Sequence, residues 1–357
     1  MLSWPARLID QVLLRLTVRQ AQLRRRTLWP DAEALRRLRA GDPPAVSLAD
    51  PGPPASVTFL DADGRGPFEF PSSPPYGLPH DRTVQGELVP AAEPSGAAVV
   101  MFPGAFTGLN PALEERFYLR VAHAFAGAGV TAALLTPPLH KDRAALRPGG
   151  ERERSGHDLL HGDIFTHIRA IAQAARDVRA TMSWLHHEHG QVGLWGVSLG
   201  ALVHGLVLLH DPRPAFVVLV QPPVGRQQVF DSPLLEVWTQ QLQDSGVTAA
   251  DVDAAFAVLD RGEAPRVPAE RILIQAGLHD LVARPEAVVE LRDRWGDPRV
   301  SWYEHSHTSI FMARRRLIAE ALDFAARALA ERRERPPHPN PLPREREPEV
   351  PLPPREG

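Results

Sequence analysis

Gln191-Val-Gly-Leu-Trp195-Gly196-Val197-Ser198-Leu199-Gly200-Ala201-Leu-Val-His204-Gly-Leu-Val-Leu-Leu209 is the stretch from which the rest of the chain can be read. A bare Gly-x-Ser-x-Gly is common by chance, and it is the flanks that make this one specific. The apolar run Val192–Trp195 leads into it as a strand, and the apolar segment Ala201–Leu209 leads out as a helix. A strand-to-helix turn this sharp forces the serine backbone into a strained conformation. Glycines two positions before and two after leave room for neighbouring elements to approach. The hydroxyl of Ser198 then stands above a sheet, with a helix N-terminus behind it that favours developing negative charge.

Outward from this turn, short apolar runs alternate with helical patterns. Strands are expected at Ala97–Phe102, Val130–Thr136, Gln191–Trp195, Ala215–Val220, Arg271–Gln275 and Arg299–Tyr303. Helices are expected at Pro111–Ala128, 157–189, Leu199–Leu209, Pro285–Trp295 and Ile310–Arg332. Alternation of this kind predicts an α/β fold, a mostly parallel sheet with helices on both faces. The stretch 222–268 interrupts the alternation with two helical patterns, Pro233–Gln243 and Ala249–Leu259. It reads as a small helical cap inserted after the sixth strand, at the sheet's carboxyl edge, where open α/β sheets bind ligands.

The elbow, the Phe102-Pro103-Gly104-Ala105-Phe106 segment and the Gly156-His157-Asp158-Leu159-Leu160-His161-Gly162-Asp163 stretch together resemble the α/β-hydrolase superfamily. The resemblance covers roughly Ala97 to Leu329, and within the superfamily the chain is most similar to the abhydrolase-domain-18-like branch. It implies a serine hydrolase, carboxylesterase-like, that cleaves an ester, thioester or amide through an acyl-enzyme on Ser198. An acyltransferase, a peptidase, or a catalytically silent relative acting as a binding module are the alternatives.

A serine hydroxyl is a poor nucleophile at neutral pH. It needs a histidine to take its proton and a carboxylate to orient that histidine. The family's chain order is Ser, then Asp or Glu, then His. Asp280 follows the strand Arg271–Gln275 and is the expected acid, with Asp231 in reserve. A helix N-cap is its bland alternative, but the next helix starts nearer Pro285. His307, in Glu304-His305-Ser306-His307-Thr308-Ser309 after the last strand, is the expected base, with Ser306 where the family carries glycine and His305 as the alternate. The oxyanion donors are expected from the backbone N–H of Leu199 and of Ala105, or of Phe106 if the alignment is one residue out. Pro103-Gly104 stands where the family has His-Gly.

Composition narrows the classes further. The 357 residues are 43% hydrophobic and 23% charged, and the net charge of −3 gives no reason to expect nucleic acid as a partner. The absence of cysteine removes disulfides, thiol catalysis and cysteine-ligated zinc, and fits a reducing, cytoplasmic location. No apolar run reaches the ~18 residues of a transmembrane segment. His157 and His161 have the i, i+4 spacing of a metal pair, with Asp163 and His167 nearby. Lacking His-Glu-x-x-His, the cluster reads as no metal site, and no cofactor is expected. His186, His187 and His189 read as an exposed helix end.

Residues 1–40 read as an amphipathic helical segment, with nine Arg against Asp10, Asp31 and Glu33. The expectation is a helix packed on the domain's flank, with peripheral membrane contact by residues 1–26 as the alternative. Residues 41–94 read as a Pro/Gly-rich lead-in with short strands at Ser56–Leu60 and Pro67–Phe70. Residues 95–332 form the main domain, and 333–357, with nine prolines, a disordered tail. The expected partner is a small-molecule acyl substrate, with Phe106, Leu234, Leu235, Val237, Trp238, Leu242 and Phe256 as pocket candidates that core packing explains equally well. Oligomeric state is left open.

Overall fold

The computed structural model describes residues 31–43, 46–61, 65–72, 81–105, 111–146, 149–153, 155–161, 163–223, 236–259 and 262–334. One sheet holds β1 (Thr58–Phe59), β2 (Gly66–Pro71), β3 (Thr83–Val89), β4 (Ala97–Phe102), β5 (Val130–Leu135), β6 (Gln191–Val197), β7 (Val217–Val220), β8 (Ile272–Gly277) and β9 (Arg299–Tyr303). Their spatial order is β1-β2-β3-β5-β4-β6-β7-β8-β9. The first three strands pair antiparallel, including β3 with β5, and every pair from β5 to β9 is parallel.

The helices are α1 (Ala32–Arg39), α2 (Pro111–Gly127), α3 (His157–His161), α4 (Ile164–His189), α5 (Leu199–His210), α6 (Glu236–Asp244), α7 (Ala249–Phe256), α8 (Pro285–Arg294) and α9 (Arg314–Glu334). They cover both faces because the central strands are apolar on both. β4 reads Ala-Ala-Val-Val-Met-Phe and is buried throughout. Ala98, Val100 and Phe102 enter one core, beneath α4 and α5, while Ala97, Val99 and Met101 enter the other, beneath α2 and α9.

Three expectations need correction. Thr83–Val89, read as lead-in, is a seven-residue strand whose Gly86–Val89 end pairs with β5. The two helices expected as a cap therefore follow the seventh strand, not the sixth. The helical pattern over 157–189 breaks into α3 and α4 at Asp163, whose carboxylate accepts the N–H groups of Phe165 and Thr166 and caps α4.

Between β7 and β8, α6 and α7 dock against α4. The imidazole of His167 lies between Trp238 and Phe256, with ring centroids 5.2 and 5.5 Å away. Trp238 and Leu242 are buried in the first core, so these two pocket candidates serve packing. Arg39 of α1 forms an ion pair with Asp251 of α7 at 2.8 Å. Phe106, Asp231, Leu234, Leu235, residues 1–30 and residues 335–357 lie outside the described residues, as does the side chain of Val237. No helix among the described residues is long and apolar enough to cross a membrane.

Candidate active site

β4 and β6 pair side by side, with Phe102 opposite Gly196, so the loops that leave their carboxyl ends emerge together. β6 ends at Val197 and α5 begins at Leu199. The one residue between them, Ser198, has φ 51° and ψ −111°, a conformation L residues rarely adopt. Its N–H donates to the carbonyl of Val220 at 2.8 Å, and its own carbonyl accepts the first helical bond from Leu202 at 2.9 Å. The turn closes this tightly because residue 200 is glycine. A Cβ there would lie 1.9 Å from the carbonyl oxygen of Phe102.

The loop after β4 is held by a residue that the sequence did not single out. Gly104 donates its N–H to the buried hydroxyl of Tyr118, on α2, at 2.9 Å. A Cβ on Gly104 would lie 3.4 Å from Cβ of Ser198, so this loop runs directly beside the serine. The Gly104 N–H is thereby engaged, and Ala105 is the next described residue of the segment. The N–H of Leu199 is the first of α5 and lacks an acceptor within the helix.

Asp280 and His307 come from the loops after β8 and β9. Ser198 Oγ lies 3.0 Å from His307 Nε2, and His307 Nδ1 lies 2.8 Å from Asp280 Oδ2. Because a carboxylate only accepts, Nδ1 carries the ring proton and Nε2 presents its lone pair to the hydroxyl. The other oxygen, Oδ1, accepts the N–H groups of Val282 and Ala283 at 2.7 and 2.8 Å, an Asx-type turn rather than a helix cap. Helix α8 starts five residues after Asp280, with Arg284 at its cap position and no side-chain cap.

The loop after β9 is clamped internally. Ser306 and Ser309 bond through their hydroxyls at 2.8 Å, and Ser309 Oγ accepts the N–H of Ser306 at 2.9 Å. His305, the alternate base, is turned to Ser309, with Nδ1 at 3.4 Å, and its carbonyl accepts the N–H of His279 at 3.0 Å. That carbonyl sits where a Cβ on Gly277 would be, at 2.4 Å, so the glycine ending β8 lets the two loops touch. Burial, and next the nearby Arg316, lower the pKa of His305.

Of the histidines near α3, His167 is buried, bonds the carbonyl of Leu159 through Nδ1 at 2.8 Å, and has its pKa lowered by burial. The side chain of His161 lies outside the described residues, and His157 stands with Glu153 and Asp158. One ligand atom from each of the three lies within 4.8 Å of the others, a spacing a metal ion could bridge. His186 and His187 are exposed and His189 is half-buried.

Among the described residues, a nine-stranded, mostly parallel sheet sandwiched by helices carries a strained serine between β6 and the helix that follows. The fold is the α/β-hydrolase fold. No protein-family model matches the chain. Two curated proteins of Mycobacterium tuberculosis, described as uncharacterized proteins MT2702 and Rv2627c, are each 28% identical to it over 193 residues. That stretch is 53% of this chain and 46% of each relative, so the chain spans about half the length of the curated relatives it matches.

Among solved structures, an esterase of Pyrococcus furiosus is similar at TM-score 0.49 and 14% identity, over 77% of this chain and 99% of that one. A cold-adapted esterase from an Arctic intertidal metagenomic library, in complex with PEG, is similar at TM-score 0.46 and 18% identity, over 76% and 99%. An α/β serine hydrolase without lid from Xanthomonas campestris is similar at TM-score 0.39 and 15% identity, over 70% and 90%.

Proposed function

We propose that the chain is a serine hydrolase, carboxylesterase-like, that cleaves an ester, thioester or amide through an acyl-enzyme on Ser198. One observation carries the reading. The hydroxyl of Ser198, both ring nitrogens of His307 and the carboxylate of Asp280 lie in one hydrogen-bonded line, at 3.0 and 2.8 Å. Three side chains from three separate loops rarely align this way without chemistry to do.

In this mechanism Ser198 Oγ attacks the acyl carbon while His307 Nε2 takes its proton. The imidazolium so formed is stabilised through Nδ1–H by the carboxylate of Asp280, whose other oxygen is held by two backbone N–H groups. The N–H groups of Leu199 and Ala105 receive the oxyanion, each such donor being worth roughly 3 kcal/mol. His307 then returns the proton to the leaving alcohol, thiol or amine. A water, deprotonated by the same nitrogen, attacks the acyl-enzyme and frees the acid. The stretch between β7 and β8 acts as a cap that selects the acyl group. The Pro103-Gly104-Ala105-Phe106 and His157–Asp163 segments support placing the chain with the abhydrolase-domain-18-like branch.

The test is labelling by a fluorophosphonate probe, which reports an activated serine whatever the natural substrate. Wild-type protein labels and Ser198→Ala does not. Equal labelling of the two ends the proposal. Turnover of p-nitrophenyl esters of graded chain length then defines the acyl preference.

A further inference from the structure

We propose that Gln221 is a positioning residue of the Ser198–His307 pair, acting through the loop that carries the histidine. The inference rests on the serine-hydrolase reading of the same site.

Gln221 is the first residue past β7, and β7 lies between the strand that ends at Ser198 and the strand that leads to Asp280. It is wholly buried. Its amide Nε2 donates to the carbonyl of Ser306 at 2.9 Å, and Ser306 immediately precedes His307. The same carbonyl accepts the N–H of Ile310 at 3.2 Å, so both of its lone pairs are used. One residue back, the carbonyl of Val220 accepts the N–H of Ser198 at 2.8 Å. Two consecutive residues thus hold the two partners of the Oγ···Nε2 contact. Val220 fixes the nucleophile's backbone, and Gln221 fixes the backbone beside the base.

Two features show that the arrangement is maintained at a cost. Gln221 has φ 50°, in the left-handed region that glycine fills without strain, although its side chain is long. Its N–H is spent on the carbonyl of Gln275 at 2.8 Å, which fixes that conformation. Its amide oxygen, buried, has no hydrogen-bond partner among the described residues. A residue chosen for packing alone would be apolar here and would leave no acceptor unsatisfied. A donor is what this position supplies, and the Ser306 carbonyl is what receives it.

The geometry also limits what else could hold that carbonyl. Gly277 brings the His305 carbonyl against the end of β8, and its missing Cβ would stand 3.3 Å from Gln221 Nε2. The amide therefore fills a slot bounded by the loops of the acid and the base. Losing it frees Ser306 to shift, and a shift of about 1 Å between reacting groups is enough for a loss near 10²-fold.

The experiment measures the second-order rate of fluorophosphonate labelling on the full chain, with thermal midpoints alongside. Ser198→Ala must be silent; labelling that persists there overturns the serine-hydrolase reading and the inference with it. Gln221→Met keeps the shape and loses the donor. The expected result is labelling slowed by roughly 10- to 100-fold with folding intact. A wild-type rate in Gln221→Met, with Ser198→Ala silent, overturns the inference alone.

Gln221→Glu supplies the readout that a merely structural role would not move. A neutral glutamic acid donates to the Ser306 carbonyl, whereas a carboxylate repels it. The ratio of Gln221→Glu to wild-type rates rises as pH falls from 8 to 6. Should Gln221→Met fail to fold, this ratio decides: a rise supports the inference and a flat ratio overturns it.

Discussion

Asp280 uses its two oxygens for different purposes, and a single substitution separates them. In Asp280→Asn the amide oxygen can keep the N–H groups of Val282 and Ala283, so the turn survives. The amide nitrogen then faces His307 Nδ1 in place of the carboxylate oxygen at 2.8 Å. Two donors cannot share that contact, so the imidazole adopts the other tautomer and Nε2 arrives already protonated. Labelling and turnover are expected to fall by about 10⁴-fold with the thermal midpoint nearly unchanged. Kinetics beside a melting curve check this, and a loss of activity that tracks unfolding would contradict it. Asp280 was legible because it stands directly after a strand, and Ser198 because glycines bracket it. Tyr118 and Gln221 were not. Each acts on a backbone atom, Gly104 N–H or the Ser306 carbonyl, and no spacing in the chain announces such a bond.

At the scale of elements, the parallel strands from β4 to β8 were plain in the sequence because each is a largely apolar run, buried on both sides. β3 was not. Thr83-Val-Gln-Gly-Glu-Leu-Val89 alternates weakly and carries a glycine, and it is a strand because β2 and β5 complete its hydrogen bonds. What locks this edge to the domain is polar and buried. Arg143 lies between Asp81, two residues before β3, and Asp177 of α4, with 2.7 Å to the latter. Ser72, just past β2, donates to Asp177 at 2.6 Å. Burial, opposed by Arg143, pushes the Asp81 carboxyl up to about 6. Arg143→Met keeps much of the stem but leaves two carboxylates facing each other without a cation. A destabilisation of about 3–5 kcal/mol is expected, read as a lowered urea midpoint at neutral pH. A change within 1 kcal/mol, on the order of a surface pair, would show that water reaches the cluster.

At the scale of the whole molecule, buried imidazoles, His204 and His140 among them, make stability depend on pH. His204, on α5 behind the elbow, is wholly buried, and neither ring nitrogen has a hydrogen-bond partner among the described residues. Burial pushes its pKa down to about 3, and burial, too, brings His140 down to about 4. Each histidine ionises in the unfolded chain at an ordinary value near 6.5. Between that value and the lower native one the unfolded state binds the extra proton. The stability these residues allow is therefore fully present above about pH 6.5 and drains away as pH falls. Asp81 works in the opposite sense, since a raised carboxyl pKa favours the native state at low pH and loses that advantage as pH rises through about 6. Comparison of wild type with His204→Leu removes this opposition, because Asp81 and His140 are common to both. Leucine leaves no buried nitrogen unsatisfied beside Phe102, so the variant is expected to be at least as stable at pH 8. Below pH 6.5 its advantage should widen by about 1.4 kcal/mol for each pH unit, the value for one proton. Urea midpoints at pH 8, 6 and 5 measure it. Parallel profiles for the two proteins would mean that His204 takes up its proton in the native state as readily as in the unfolded chain, and the dry wall behind the elbow would have to be redrawn.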